Sequence, residues 1–424
     1  MRVYVVGGAV RDALLGLPVK DRDWVVVGET PETMRAHGFR PVGRDFPVFL
    51  HPETHEEYAL ARTERKNGHG YTGFVCHASP EVTIEEDLLR RDLTINAIAR
   101  DGDGVIIDPH GGVRDLEARI FRHVGPAFIE DPLRVLRVAR FAARLPDFTV
   151  APATLALMRK MSASGELDHL VPERVWKELA RGLMETRPAR MFHVLRDCGA
   201  LAAVLPELDR LFGVPQPPQY HPEIDSGEHT MRVIDHAARA GHPIEVRWAC
   251  LLHDLGKGET PADVLPHHHD HESRSARLAE QISMRLRVPA HYREFATLFA
   301  REHGNLGRIA GMRPGTVAGI MERCDAARRP ERFNALLAAS ACDYFGRAGD
   351  WAVPWPAAAP WARALEAFLG VDAGALARAT AERERIPALL HAARANAIRT
   401  RLQSTTVSAP QITPTPFTHE NQQK

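Results

Sequence analysis

A glycine pair between a strand and a helix constrains the N-terminal part of this chain most strongly. Val3–Val6 is a β-branched and aromatic run that predicts a buried strand, and Gly7-Gly8 ends it. The pattern then predicts a helix over Ala9–Leu15 and a second strand over Trp24–Val27. No G-x-G-x-x-G follows the first strand, which disfavours a dinucleotide-binding fold. The N-terminal region is therefore expected to mix short strands with helices.

Phosphate chemistry is indicated around the glycine pair. Two glycines at this position let backbone N–H groups approach a phosphate closely, and Arg11 can add a charge-assisted fork. Asp21 and Asp23 are two residues apart, so on a strand their side chains point to one face. Two carboxylates in this arrangement can bridge a pair of Mg²⁺ ions, as in-line phosphoryl and nucleotidyl transfer require. Together these residues predict a site for a polyphosphate.

Composition limits the class of protein and the kind of partner. The 424 residues, 44% hydrophobic and 25% charged, are typical of a soluble globular protein of about three domains. Lys+Arg and Asp+Glu both number 54, so any nucleic-acid surface must be a local patch. The five cysteines contain no C-x-x-C pair, which suits a reducing compartment. Without a signal peptide or an apolar stretch of ~20 residues, a cytoplasmic enzyme with no membrane partner is expected.

Helical spacing dominates the chain from about Asp131 onward, with breaks at Pro215–Pro218 and Pro354–Pro360. Before it, strands are expected over Phe46–Leu50 and Tyr58–Ala61, and a mobile loop over Asn67–Gly73. These patterns predict five parts: a head over 1–125, a helical neck and body over 126–215, a histidine-rich helical domain over 226–346, a helical tail over 347–403, and a disordered segment over 404–424.

A positively charged helix is predicted just after the head. Arg134, Arg137 and Arg140 recur every three residues and share one helix face for about two turns. From Arg114 to Lys160 there are nine Lys or Arg and five Asp or Glu, a local excess of four positive charges. Such a surface suits a polyphosphate or an RNA backbone. The apolar residues between the arginines are expected to face inward: Val135, Leu136, Val138 and Ala139.

The histidine-rich domain holds ten of the 22 histidines and predicts metal chemistry. His253-Asp254 ends the apolar run Ala249–Leu252. Adjacent residues of a helix diverge by only about 100 degrees, so both side chains can reach one ion. Imidazole nitrogen and carboxylate oxygen suit a divalent transition metal, which can lower the pKa of a bound water. A metal-dependent hydrolytic site is therefore predicted here.

The motifs of the head resemble those of one known family. Gly7-Gly8-x-x-Arg11-Asp12 followed by Asp21-x-Asp23 is similar to the head of the tRNA nucleotidyltransferase and bacterial poly(A) polymerase family. The segments 90–97 and 130–134 fit further motifs of that family, and the resemblance extends to about Phe345. It implies an α+β fold class: a polymerase-β-like nucleotidyltransferase head with a small mixed sheet, then an all-α neck and body and an all-α HD domain.

The resemblance implies that the chain adds the 3'-terminal CCA to tRNA from CTP and ATP without a nucleic-acid template and releases pyrophosphate. It makes Asp21 and Asp23 the catalytic residues that hold Mg²⁺, with Glu57 as a candidate third carboxylate. In that family, an Asp and an Arg at the positions of Asp131 and Arg134 pair with the Watson–Crick edge of the incoming base. The implied contacts to ATP and CTP are Gly8, Arg11, Arg91, Asp131, Arg134, Arg137 and Arg140.

The histidine segment resembles the HD phosphohydrolase superfamily. The doublet His253-Asp254, with His229 upstream and Asp325 downstream, is the implied ligand set for a transition metal such as Ni²⁺. The implied activities are phosphatase and 2',3'-cyclic phosphodiesterase at RNA ends. Whether His267–His271 adds a ligand or lines the pocket stays open.

The implied partners are tRNA, contacted at its acceptor arm and 3' end, and the nucleotides ATP and CTP. A monomer and a homo-oligomer are both compatible with the sequence. Two alternatives to tRNA extension stay open: a poly(A) polymerase of the same superfamily, and an HD phosphohydrolase whose head only binds RNA. The hydrolase domain and the lack of a long basic tail favour tRNA extension.

Overall fold

The computed structural model of the chain describes residues 1–42, 48–66, 74–219, 222–348 and 354–403. Two expectations, the mobile loop over Asn67–Gly73 and the disordered segment over 404–424, lie outside the described residues. The chain divides into two compact units. The first is Met1–Arg301 with Gly346–Ala348, and the second is Glu302–Phe345 with Gly349–Lys424, of which residues 302–345 and 354–403 are described.

Strands are concentrated in the head, where the sequence predicts them. Their bounds are β1 (Arg2–Val6), β2 (Asp23–Val27), β3 (Arg40–Val42), β4 (Val48–Leu50), β5 (Glu57–Leu60), β6 (Arg62–Lys66), β7 (Phe74–Ala78), β8 (Ala99–Arg100), β9 (Ile106–Ile107), β10 (Ile120–Phe121) and β11 (Thr149–Val150). Among the described residues, the main sheet has the order β3-β4-β5-β2-β1-β8-β9. The pair β2–β5 is parallel and the other ladders in this sheet are antiparallel. The predicted small mixed sheet is confirmed.

Helices account for most of the regular structure outside these strands. Their bounds are α1 (Gly8–Leu14), α2 (Pro31–Ala36), α3 (Ile84–Leu89), α4 (Gly112–Glu117), α5 (Leu133–Arg144), α6 (Pro152–Ala163), α7 (Pro172–Leu183), α8 (Ala189–Asp197), α9 (Ala200–Val204), α10 (Pro206–Asp209), α11 (Ser226–Arg239), α12 (Ile244–Leu252), α13 (His271–Arg285), α14 (Ala290–Leu306), α15 (Pro314–Arg323), α16 (Pro330–Ala348), α17 (Ala358–Leu369), α18 (Ala373–Ala379) and α19 (Ile386–Gln403). Within the ranges described above, none of these helices has the length and apolar character that crossing a membrane demands.

The sheet is buried on both faces, which explains its uninterrupted apolar strands. Successive side chains of a strand point to opposite faces. On β2, Val25 and Val27 pack in one core cluster with Leu88, whereas Val26 packs in another with Phe49. Because both faces are covered, the run Trp24–Val27 carries no polar alternation.

The neck helix α5 is buried more completely than its sequence pattern predicts. An arginine face towards a ligand and an apolar face towards the core are expected, yet ten of its twelve residues are buried. The helix packs against both α7 and α8. Arg134 and Arg140 are therefore buried as well, with exposed fractions of 8% and 7%.

One predicted helix boundary is wrong. The proline-rich segment Pro354–Pro360 is expected to be a break, but α17 already begins at Ala358. Pro360 thus lies in the first turn of that helix, where the missing backbone N–H has no helical acceptor to lose. The break ends at Ala357, three residues earlier than the prolines suggest.

A half-buried histidine on α11, His236, predicts a loss of stability in acid. Burial, together with the charges of Arg239 and His242, lowers the pKa of His236 to about 4. The unfolded chain binds a proton near pH 6.5, whereas the folded chain binds it only near pH 4. Stability contributed by neutral His236 is therefore complete above pH 6.5 and lost as the pH falls towards 4. Between pH 7 and pH 5 we expect a loss of about 1 kcal/mol, discounted for partial exposure.

Chemical denaturation at the two pH values measures this effect. The variant His236→Asn has no imidazole to titrate, so its loss of stability between pH 7 and pH 5 should be smaller than that of the parent chain. An identical loss in both proteins would assign the acid sensitivity to other groups.

Candidate active sites

A cavity of about 840 Å³ lies at the end of the head sheet, beside α5 and α7. Its wall carries ten Lys or Arg side chains and six carboxylates, a local excess of four positive charges. This balance suits a polyphosphate ligand. The cavity brings together the residues that the sequence predicts for nucleotide chemistry: Gly8, Arg11, Asp21, Asp23, Arg91, Asp131, Arg134, Arg137 and Arg140.

The acidic pair lies at the beginning of β2. Both Asp21 and Asp23 are exposed and line the cavity. The expectation that both lie on one strand is wrong for Asp21, because β2 begins at Asp23. The antiparallel ladder ends where Val6 pairs with Asp23, and Gly7 then turns away with a φ of 67°. Asp21 therefore has no strand partner to continue the ladder along β1.

A third carboxylate shares the register of this pair. Asp23 is the parallel register partner of Glu57, the first residue of β5. Paired residues of neighbouring strands point to the same sheet face, so both carboxylates lie at one end and on one face of the sheet. Exposed carboxylate oxygens are the ligands that hard divalent cations prefer. The residues present therefore fit a divalent metal site.

The glycine at the end of β1 makes room for an arginine. Gly7 has a φ of 67°, and a Cβ atom on it would lie only 2.7 Å from Arg91 Nη1. Any other residue at this position would be strained and would displace the guanidinium. Arg91 donates from Nη2 to Asp87 at 3.2 Å, which orients it beside the glycine turn.

A chain of polar contacts connects the head to the neck helix. Arg11 donates to Asp12 at 2.9 Å and to Asn96 at 2.6 Å, and Asp12 also accepts from Arg144 at 2.7 Å. Burial lowers the pKa of Arg11, although Asp12 opposes this shift. Arg11 is only 2% exposed, so its direction is fixed before a ligand binds. Sequence spacing indicates Arg11, but it does not indicate that Asp12 and Asn96 accept hydrogen bonds from it.

Asp92 continues this network on the neighbouring segment. Its carboxylate accepts from Asn96 Nδ2 at 2.9 Å and from Arg137 Nε at 2.8 Å. Burial alone would raise the pKa of Asp92, but Arg137 and Asn96 outweigh it and hold that pKa far below its usual range. An ionised Asp92 thus fixes Arg137 at the cavity wall.

The other predicted nucleotide contacts also have partners within the chain. Arg134 donates to the backbone oxygens of Ala127 at 3.0 Å and Arg90 at 2.7 Å. Asp131 accepts from the Leu133 backbone N–H at 3.1 Å. These contacts set the direction of Arg134 and the position of Asp131 without a ligand.

Arg140 forms a buried ion pair whose loss should destabilise the fold. Its Nε donates to Glu178 at 2.6 Å, and Glu178 is only 4% exposed. We expect Glu178→Ala to lower the free energy of unfolding by about 3 kcal/mol, because the guanidinium stays buried after its main partner is removed. Urea-induced unfolding of the full chain measures the change.

Glu173, which lies on α7 with Glu178, provides the control for this variant. Glu173 contacts Arg287 at the surface, where the two side chains are 49% and 67% exposed. Glu173→Ala should leave the unfolding midpoint unchanged. Equal midpoints for the Glu178 and Glu173 variants would show that the buried pair does not hold α5 against α7.

The second site is built around Asp254, at the end of α12. Its Oδ2 lies 3.2 Å from His253 Nε2 and 3.9 Å from His229 Nε2, and its Oδ1 lies 3.3 Å from His271 Nε2. Lys257 Nζ lies 2.7 Å from Oδ2. Burial alone would raise the pKa of Asp254, but His253 and Lys257 hold it well below its usual range. Three imidazole nitrogens around one ionised carboxylate fit a divalent transition metal.

Family models match three successive parts of the chain. Residues 3–122 match the Poly A polymerase head domain, and residues 147–212 match the probable RNA and SrmB-binding site of polymerase A. Residues 227–329 match the HD domain. The predicted combination of an α+β head, a helical body and a helical HD domain is confirmed.

Relatives that match nearly the whole chain show the family to which it belongs. A Multifunctional CCA protein from Azoarcus sp. (strain BH72) is 66% identical over 399 residues, which cover 94% of this chain and 97% of that protein. The chain belongs to the multifunctional CCA protein family. The resemblance that the head and histidine motifs indicate is thereby confirmed over nearly the whole chain.

Solved structures share the fold of this CCA protein family member. The Thermotoga maritima CCA-adding enzyme complexed with tRNA aligns over 95% of this chain and 91% of its own, with a TM-score of 0.61 and 20% identity. The Bacillus stearothermophilus CCA-adding enzyme in complex with CTP covers 96% and 95%, with a TM-score of 0.57 and 24% identity. At these identities the likeness establishes the fold.

Asp325, the remaining predicted metal ligand, belongs to the second unit. It follows α15 with a φ of 57°, and its carboxylate lies 2.7 Å from Arg328 Nε and 3.7 Å from Arg329 Nε. These arginines are its ion-pair partners within that unit. A role for Asp325 in metal binding stays a prediction.

Sequence patterns do not reveal several residues of the two candidate sites. The cavity of the head is also lined by Lys20, Arg144, Arg174, Arg181 and Glu185. Arg144 extends the arginine spacing of α5 by one turn, so that signal was available, whereas the residues of α7 lie far along the chain. At the histidine site, His271 of the open segment His267–His271 contacts Asp254, and Glu223 contacts His229.

Arg247 links the HD domain to the wall of the cavity in the first unit. It lies on α12, is 5% exposed, and donates from Nη1 to the backbone oxygens of Leu183 at 2.6 Å and Glu185 at 3.3 Å. A cation at the carboxyl end of a helix is favourable, and these oxygens end α7. Arg247 therefore holds the segment that places Glu185 in the cavity.

Proposed function

We propose that this chain adds the 3'-terminal CCA to tRNA from CTP and ATP without a nucleic-acid template and releases pyrophosphate. One observation carries the proposal: an acidic pair at a sheet end faces a cavity whose other walls are cationic. This is the arrangement that nucleotidyl transfer from a triphosphate needs. The Multifunctional CCA protein that is 66% identical to the chain supports the same activity.

The head residues position the triphosphate and the RNA end. Asp21 and Asp23, with Glu57 beside them, hold divalent ions, and we assign Mg²⁺ because all three are carboxylates. Bound Mg²⁺ supplies charge neutralisation for in-line attack of the tRNA 3'-hydroxyl on the α-phosphorus. Gly8 leaves the backbone open to the phosphates, and Arg11 directs a fixed positive charge towards them.

The neck residues select the base. Asp131 accepts a hydrogen bond from an exocyclic amino group, and Arg134 donates to a ring nitrogen or carbonyl acceptor. Cytosine and adenine both present an amino group and an acceptor nitrogen, whereas uracil and guanine present different edges. Arg137 and Arg140 line the same cavity and contribute to base selection, whereas Arg91 holds the ribose and phosphates. One protein pocket can thus accept C and A in turn.

The histidine site hydrolyses phosphomonoesters or 2',3'-cyclic phosphates at RNA ends. Its donors His229, His253, Asp254 and His271 suit a transition metal, and we assign Ni²⁺ as a candidate. When bound, such an ion supplies an activated water. Lys257 places a positive charge beside Asp254, where it can attract the phosphate. This repair role suits an enzyme of the cytoplasm, where tRNA is processed.

Product sizing tests the proposed transfer. Full-length chain is incubated with tRNA that lacks CCA and with CTP, ATP, or both. CTP alone should add two nucleotides, and the mixture should add three. Long extension with ATP alone would favour a poly(A) polymerase instead. No extension in any reaction would favour a hydrolase whose head only binds RNA.

A further inference from the structure

The three histidines around Asp254 share one orientation. Each Nδ1 lies against an oxygen: His229 against Glu223 Oε1 at 2.9 Å, His253 against the Cys250 carbonyl at 2.8 Å, and His271 against the His268 carbonyl at 2.8 Å. Each Nε2 faces an oxygen of Asp254. The pattern therefore holds for all three imidazoles in the first unit.

This orientation fixes which nitrogen is available to an ion. In a neutral imidazole one nitrogen carries the proton and the other carries the lone pair. The backbone carbonyls at His253 and His271 accept from Nδ1, whereas the Glu223 carboxylate lies 2.9 Å from Nδ1 of His229 as an ion-pair contact without hydrogen-bond alignment. In the neutral rings that bind a metal, an oxygen at Nδ1 favours the proton there, so the lone pair of Nε2 points towards the space beside Asp254. The site is thus oriented for a cation before one binds.

Glu223 differs from the other two orienting groups. Those at His253 and His271 are backbone carbonyls, whereas Glu223 brings a negative charge to Nδ1 of His229. A carboxylate in this position raises the basicity of the imidazole as a ligand. The side chains of His229 and Glu223 are 0% and 1% exposed, so water does not weaken the contact.

The residue that follows Glu223 has an uncommon backbone conformation. The next residue, Ile224, has a φ of 60°, which is rare for a β-branched side chain, and it is 48% exposed. Its carbonyl accepts from the Gln216 backbone N–H at 2.7 Å, and Asp225 caps α11. Burial of Ile224 does not explain the turn, whereas turning Glu223 inward beside His229 does.

We infer that Glu223 is a positioning residue that strengthens divalent-metal binding by fixing and polarising His229. The inference rests on the proposed metal-dependent hydrolysis at this site. Glu223 acts through Nδ1 of His229 and leaves Nε2 to the ion. Orienting groups of this kind change metal affinity by about 10- to 100-fold.

Metal titration of the full chain tests the inference. Metal-free protein is titrated with Ni²⁺ and, separately, Mn²⁺, and the dissociation constant is measured by calorimetry. Glu223→Ala should raise it by about 10- to 100-fold, and Glu223→Gln, which keeps an oxygen acceptor without the charge, by about tenfold. Glu228→Gln, a half-exposed carboxylate on α11, should leave it unchanged.

A double variant separates positioning from general damage. In a His229→Ala background, Glu223→Ala should cause no further loss of metal affinity, because the residue it orients is already absent. Nucleotide incorporation by each variant reports that the first unit is folded. Equal affinities of the parent chain and Glu223→Ala overturn the inference alone. A parent chain that binds neither ion overturns the proposed hydrolytic function as well.

Discussion

Replacing Asp21 and Asp23 together by alanine is expected to lower nucleotide incorporation by about 10⁴-fold, equivalent to about 5 kcal/mol of transition-state stabilisation. Both carboxylates are exposed and line the cavity, so their removal abolishes divalent-ion binding without opening a core. Incorporation of labelled CMP into tRNA lacking CCA measures the loss. The melting temperature should stay close to that of the parent chain.

Two comparisons make this result specific. Asp103→Ala removes another exposed carboxylate of the head and should leave incorporation unchanged. Hydrolysis at the histidine site should also persist in the Asp21 and Asp23 variant. Incorporation that survives the loss of both carboxylates would refute the proposed transfer chemistry.

The second large effect is expected at the histidine site. His253→Ala combined with Asp254→Ala should reduce hydrolysis of 2',3'-cyclic phosphates by about 10⁴-fold, because the site loses its central carboxylate and one imidazole. Incorporation should stay within about twofold. Release of phosphate and conversion of the cyclic end measure hydrolysis in the presence of added Ni²⁺ or Mn²⁺.

The Asp254 substitution also removes the ion-pair partner of Lys257. Lys257 is 6% exposed and pairs with Asp254, so Asp254→Ala leaves a buried ammonium without that carboxylate. Asp254→Asn keeps a polar partner and is the milder variant. The exposed His267 provides the control, and His267→Ala should retain hydrolysis. Persistent hydrolysis in the doublet variant would place the site elsewhere.

Local sequence patterns predict the elements that carry the head site. The strands β1 and β2 are apolar because both sheet faces are covered, and Gly7 ends β1 because the chain adopts a positive φ beside Arg91. These signals act over a few residues, so periodicity and turn chemistry reveal them. The arginine spacing of α5 similarly indicates that three cations lie along one wall.

Patterns of this kind cannot reveal the partners of those cations. Asp12 meets Arg144 across 132 positions, and Glu178 meets Arg140 across 38. Such pairs depend on how helices pack, which no local spacing encodes. The same limit applies to Glu223, whose contact with His229 requires an unusual turn at Ile224. The start of β2 at Asp23 likewise depends on the end of the neighbouring strand β1 at Val6.

Helix α12 connects the cavity wall at the end of α7 to the histidine site. Arg247 near its middle anchors the end of α7, and about two turns further on the chain reaches His253-Asp254. A truncation that removes α12 would therefore leave the backbone oxygens of Leu183 and Glu185 without Arg247 and loosen the cavity wall at Glu185. Substitution of His253 or Asp254 would change the histidine site and leave α12 in place, whereas deletion of α12 would also remove the residue that anchors α7.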